Sequence, residues 1–118
     1  MTPWTEVEVG GTRRSVVMDA IIDTGFDGEV CVPLDLGVTL GLELIAVTLV
    51  ELADGSKKRD LLFAGKAKFL KKKQDIEISL TNGEQALIGT ELLAGCRMSV
   101  DFDTGKVRLK RKPASSGK

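Results

Sequence analysis

What most constrains this chain is a succession of short apolar alternations, each closed after about ten residues by a Gly-, Asp- or Asn-containing turn. Val7 and Val9 alternate with Glu6 and Glu8, Gly10-Gly11-Thr12 turns, and Arg14, Val16 and Met18 begin a return strand that ends in the apolar run Ala20-Ile21-Ile22. Val30 and Val32 share one face of a short strand ended by Pro33, which cannot serve a central ladder. Ile45, Val47 and Leu49, then Val50 and Leu52, form a strand with room for a bulge. The turn Ala53-Asp54-Gly55-Ser56 follows, because Asp-Gly supplies the positive φ such turns need. Lys57 to Ala64 returns, and Ala67, Phe69, Ile76, Ile78 and Leu80 alternate about the charged tip Lys71-Lys72-Lys73-Gln74. After Asn82-Gly83 come the apolar strand Ala86-Leu87-Ile88 and an alternation of Met98, Val100 and Phe102, with Val107 and Leu109 returning. About eight short strands of this period predict a mainly-β barrel or sandwich. One short helix is expected, N-capped by Thr90, containing Glu91-Leu92-Leu93-Ala94 and closed by Gly95. Leu36 to Leu44 is ambiguous between a helical turn and a loop.

A chain of 118 residues suits one domain. Residues 1–109 carry the strand pattern, and 110–118 read as a disordered basic and polar tail. Aromatic content is 4% with no Tyr, so the core must be aliphatic. A formal net charge of zero removes the electrostatic case for a dedicated nucleic-acid or membrane-surface binder. No apolar stretch approaches the ~20 residues of a membrane span, and the first residues lack the pattern of a secretory leader, so a soluble, cytoplasmic protein is expected.

The absence of His excludes the most chemistry. Ser-His-Asp and Cys-His catalysis need an imidazole base, and most catalytic zinc sites need imidazole as a ligand. Acid–base work then falls to carboxylates or Lys, with no metal and no cofactor expected. Cys31 and Cys96 lie outside any CxxC pattern and read as small core residues in a reducing compartment.

One carboxylate stands apart. Asp23-Thr24-Gly25 follows Ala20-Ile21-Ile22 and precedes Phe26-Asp27-Gly28, so Asp23 is carried by a buried strand into apolar surroundings. An Asp placed there needs a partner, and a proton shared with a second carboxylate is one solution. The triplet alone is weak, because Asp103-Thr104-Gly105 repeats it between alternating strands, where a hairpin turn explains it fully.

In this context the residues resemble the retropepsin-like (clan AA) aspartic proteases, most closely the prokaryotic group with a DTGF signature. Residues 20–28 resemble the catalytic strand and loop, and Leu52-Ala53-Asp54-Gly55 the flap tip. Ala86-Leu87-Ile88-Gly89-Thr90-Glu91-Leu92-Leu93 is similar to the strand and helix packed behind the loop, and Val100-Asp101-Phe102 to the closing strand. The resemblance implies a single-domain acid-protease barrel with one short C-terminal helix and an active site at the two-fold axis of a homodimer. It implies Asp23, Thr24 and Gly25 as the catalytic triplet: one Asp23 per protomer in the dyad, Thr24 bracing the two loops, and Gly25 allowing close backbone approach. It also implies that Phe26, Asp27, Gly28, Ala53, Asp54, Gly55 and Ile88 contact an extended peptide or protein substrate. Two features depart from the retroviral pattern. Phe26 replaces a small Ala, and the helix lacks an Arg after Gly89.

Plainer readings stand beside these. Asp27 either orients substrate backbone or caps its own turn with Gly28, Asp54 serves as a turn former, and Trp4 anchors an N-terminal segment at a dimer interface. The whole chain also fits a non-catalytic dimer of the same fold that binds peptides, or a β-barrel interaction protein in which the triplet is incidental.

Overall fold

The computed structural model describes residues 2–112. Strands β1 (Trp4–Gly10) and β2 (Ser15–Ile22) form the expected hairpin, with Val9 opposite Val16. The end of β2 runs parallel to β7 (Ala86–Ile88), which pairs antiparallel with β3 (Val30–Pro33). β3 lies parallel to β6 (Lys72–Thr81), and β6 pairs antiparallel with β5 (Lys57–Phe69). β5 returns to β1, Glu8–Gly10 facing Lys66–Lys68, so six strands close into a barrel in the order β1-β2-β7-β3-β6-β5. Closure leaves this ring without a free edge. Pro33 sits at the last paired position of β3, where a missing N–H costs least.

The interior is aliphatic, as the composition requires. Val7, Val9, Val30, Val32, Leu40, Ile78 and Ile88 are fully buried with Phe69 as the one large ring. Each such side chain contributes about 1.5–3 kcal/mol by leaving water. β4 (Glu43–Glu51) hangs off β5 outside the ring, with a bulge between Leu44 and Ala46. β4 and the start of β5 therefore project as a two-stranded arm.

The ambiguous segment resolves as helix α1 (Leu34–Leu40), ended by Gly41 at φ 73°. That left-handed conformation favours glycine, and the Gly41 N–H closes on the Gly37 and Val38 carbonyls. The β1–β2 turn docks on this end, with the Thr12 amide and hydroxyl both donating to the Gly41 carbonyl. A second helix, α2 (Thr90–Leu93), follows β7. Thr90 is its first residue and not its N-cap. Gly89 holds that place, and the Thr90 hydroxyl turns instead to the Phe26 carbonyl at 3.4 Å.

β8 (Cys96–Val100) and β9 (Val107–Arg111) form a separate two-stranded sheet. Phe102 lies beyond β8 and is 79% exposed. The sheet continues past the boundary expected at 109, since Lys110 and Arg111 pair with Arg97 and Cys96. The Arg111 guanidinium donates to the Phe69 carbonyl at 2.9 Å and so fastens the hairpin to the barrel. Of the expected tail, 113–118 lie outside the described residues.

Candidate active site

Asp23 is the first residue after β2, in a loop held almost wholly by backbone bonds to the β7–α2 junction. Its N–H donates to the Ile88 carbonyl at 2.9 Å. The Gly89 N–H donates to Glu29, the Thr90 N–H to Phe26, and the Glu91 N–H to Gly28, at 3.0, 2.9 and 3.1 Å. Loop and junction therefore form one unit, so Asp23 is positioned by main chain rather than by flexible side chains.

Within the loop the Asp23 Oδ1 accepts the Gly25 N–H at 2.9 Å, and the Phe26 N–H donates to the Asp23 carbonyl at 3.1 Å. The first bond fixes the carboxylate rotamer with one oxygen occupied. Asp23 is half-buried, less enclosed than the apolar run before it suggests, while Thr24 and Gly25 are exposed. The Thr24 hydroxyl makes no hydrogen bond among the described residues, which leaves it available to a group outside the protomer.

Phe26 folds back onto its own loop. A methyl group on Gly28 would lie 2.6 Å from Phe26 Cζ, and one on Gly89 would meet Phe26 Cδ2 at 2.7 Å. The ring therefore covers two glycines, and the Phe-x-Gly spacing becomes intelligible: the aromatic ring needs a residue without Cβ beneath it. Asp27 is exposed and accepts no capping bond from Gly28 among the described residues. The Ile88 side chain is fully buried in the core, so it does not reach a substrate groove; only its carbonyl serves the site. Leu87 beside it is half-buried and points to the opposite side of β7. Alternation along the strand would have singled out Leu87 in place of Ile88.

Glu29 is a residue that pattern reading passed over. Its carboxylate accepts the Glu77 N–H at 2.8 Å, while its carbonyl accepts the Gly89 N–H. It thereby ties the loop to both the barrel wall and the β7–α2 junction. No local motif announces it, because its partners lie 48 and 60 positions along the chain.

The arm ends in a turn over Leu52–Ser56, closed by the Leu52 N–H to the Ser56 carbonyl and the Gly55 N–H to Leu52, at 2.8 and 2.9 Å. The Asp54 carboxylate accepts the Ser56 hydroxyl at 2.6 Å and the Ser56 amide at 2.9 Å. These two bonds, the hydroxyl first, hold the Asp54 carboxyl below its ordinary range. Ala53, Asp54 and Gly55 thus build a stiff tip, and the arm behind it exposes Val47, Leu49, Val50, Leu52 and Leu61 to solvent. An arm that buries so little apolar surface is suited to closing on something else.

The second Asp-Thr-Gly is a turn between β8 and β9. Asp101, not Asp103, organises it by accepting the Asp103 and Thr104 amides, and the Trp4 N–H donates to the Gly105 carbonyl at 3.3 Å. Cys31 is buried and Cys96 half-buried, both as free thiols. Burial pushes the Cys31 thiol up; a Ser79 hydrogen bond opposes this and the charge of Asp60 adds to it. Among the described residues no group of three or more His, Cys, Asp or Glu could hold a metal ion, and no helix is long and apolar enough to cross a membrane.

No protein-family model matches the sequence, and no curated protein matches it. Solved structures do match the fold. The solution structure of simian foamy virus (mac) protease aligns with TM-score 0.58 and 20% identity, covering 76% of this chain and 90% of that one. EIAV protease complexed with the inhibitor HBY-793 aligns with TM-score 0.60 and 15% identity, covering 79% of this chain and 86% of that one. The barrel is a retropepsin-like fold.

Proposed function

We propose that the protein is a homodimeric aspartic endopeptidase, with Asp23 of each protomer forming the acid–base dyad. The observation that carries this reading is the bracing of the Asp23 loop by four backbone bonds from the β7–α2 junction, in a barrel of retropepsin-like fold. A single chain offers one such Asp, and isologous pairing supplies the second.

In the dimer two Asp23 carboxylates come together, and like charges about 3 Å apart cannot both ionise, so the pair holds one proton. One carboxylate removes a proton from a bound water, which attacks the scissile carbonyl carbon, and the protonated partner donates to the carbonyl oxygen. The Gly25 amide on Oδ1 keeps each carboxylate oriented. Thr24, free within the protomer, bonds across the axis and locks the two loops. The β4–β5 arm closes over an extended peptide, its exposed aliphatic residues excluding water. Asp27 lies exposed beside the loop, where it meets substrate backbone.

The test is hydrolysis of a peptide library at pH about 4–6, compared with Asp23→Asn. Activity in the wild type and none in a folded, dimeric Asp23→Asn variant is expected. An inactive wild type that still binds peptides would replace the enzyme by a peptide-binding module of the same fold.

A further inference from the structure

We infer that the outward face of the β8–β9 hairpin is a docking strip for an extended acidic segment of a partner protein, with carboxylates at alternate positions. The strip lies within one protomer, so it does not rest on the dimeric protease reading.

The chain after Gly105 alternates strictly. Val107, Leu109 and Arg111 turn inward, while Lys106, Arg108, Lys110 and Lys112 turn outward and are exposed. The Asp101 N–H donates to the Lys106 carbonyl and the Lys112 N–H to the Gly95 carbonyl, both at 2.9 Å, so the ladder runs one residue past β9 at each end. Four cations therefore stand about 6.8 Å apart in a row about 20 Å long.

β8 turns the row into a cluster. Arg97 lies directly opposite Lys110, and Ser99 opposite Arg108. Side chains opposed in this way have Cβ atoms about 4.5–5.5 Å apart, and diagonal neighbours stand about 7–8 Å apart. Arg97 thus has Lys110 across from it and Arg108 and Lys112 on its diagonals. Four like charges share roughly one Debye length at ~0.1 M salt, which weakens the hairpin. None of them has an ion-pair partner among the described residues. The one carboxylate on this face of the hairpin is Asp101, opposite Lys106, so the Arg97 end carries positive charge alone.

Charge and period choose the occupant. The whole chain has 17 cations and 17 acidic residues, so the excess is local. A nucleic acid carries its charge without interruption and would run from the strip onto Asp101 and Asp103. The outward face also offers no aromatic ring on which a base could stack. A peptide in extended conformation repeats its side chains on one face every ~6.8 Å, the period of the row. Three carboxylates at alternate positions then meet Arg108, Lys110 and Lys112, with Arg97 alongside; the two guanidinium forks can each hold a carboxylate through paired hydrogen bonds. At the far end a cavity of about 400 Å³ beside Ser99, Lys106 and Arg108 has Asp101 in its wall. That carboxylate repels a fourth acidic side chain and sets where the acidic run stops.

The test is fluorescence anisotropy of the full chain at pH 7 and low salt, with a labelled Ser-Glu-Ser-Glu-Ser-Glu-Ser peptide. Binding should weaken as salt rises from about 50 to about 200 mM. Arg97→Gln and Lys110→Gln should each weaken it about two- to fivefold, and the two together about tenfold. Arg97→Gln should melt no lower than wild type, because it removes a like-charge contact. Lys71→Gln with Lys73→Gln, at the tip between β5 and β6, should leave binding unchanged. A peptide with its three Glu consecutive should bind more weakly than the alternating one. No binding, equal binding of a Gln-for-Glu peptide, or equal loss from the tip variants overturns the strip. Equal affinity for the consecutive peptide overturns the register, and tighter binding of an oligothymidylate of equal charge replaces the acidic segment by nucleic acid. Asp23→Asn should bind as wild type does, so the failure of either reading leaves the other standing.

Discussion

Replacing Gly89 by Ala tests the idea that the Asp23 loop is held by close backbone contact. Gly89 has φ −102° and ψ −179°, extended values open to any residue, so conformational strain is not at issue. Space is. A Cβ there would sit 2.5 Å from the Phe26 carbonyl oxygen and 2.7 Å from Phe26 Cδ2, and against the Gly28 carbonyl oxygen. Two of these atoms are backbone and cannot rotate away, so loop and junction must separate. Separation stretches the bonds from Thr90 to Phe26 and from Glu91 to Gly28. Those two are worth about 1 kcal/mol each, and overpacking adds about 1–3 kcal/mol. A loss of about 3–5 kcal/mol corresponds, at this chain length, to a fall in Tm of about 12–20 °C. A loop displaced by about 1 Å should also lose about a hundredfold in kcat/KM. Gly95→Ala is the control: φ is +81° but no atom lies within 4 Å, so only the left-handed penalty of about 1 kcal/mol applies. Circular-dichroism melts of both variants check the ranking. A Gly89→Ala melt within about 2 °C of wild type, with unchanged peptide hydrolysis, would refute the close-contact account.

Two further outcomes follow from the titrating groups. Cys31, buried with its thiol pushed up, should resist alkylation in the folded protein at pH 8 while Cys96 reacts. Because its folded pKa is raised, its contribution to stability is full below the unfolded pKa of about 8.5 and declines as pH rises above it. Urea melts of wild type and Cys31→Ala between pH 7 and about 10 should show this loss in the wild type alone. At the arm tip, Ser56→Ala removes the 2.6 Å hydroxyl bond, so the Asp54 carboxyl should move up toward its ordinary range in a carbon-detected NMR titration. The depressed carboxyl favours the folded tip above its unfolded pKa and ceases to do so as pH falls through the folded value. Across an assay range of pH about 4–6 the wild-type tip therefore keeps its charge.

Much of this architecture was legible in local pattern. Period-two alternation marked the strands, Asp54-Gly55 the arm tip, and the apolar run before Asp23 a strand ending at the Asp23 loop. The two copies of Asp-Thr-Gly were separable by context: one follows a barrel strand, while the other closes a hairpin organised by Asp101. Two assignments miscarried where side-chain direction or capping depended on a distant partner. Ile88 was expected at the substrate, yet its side chain fills the core and Leu87 faces the other way. Thr90 was expected to cap α2, yet its hydroxyl turns to Phe26, 64 residues away.

The sequence by itself thus determined the kind of fold and the position of Asp23 at the end of an apolar strand, because strand period, turn chemistry and composition act over a few residues or over the chain as a whole. Only the tertiary structure decided what holds Asp23 in place. Glu29, Gly89 and the Phe26 ring matter through contacts between segments some 60 positions apart, where a missing methyl or a single amide sets the spacing. Chain order carries no record of such distances until the barrel closes.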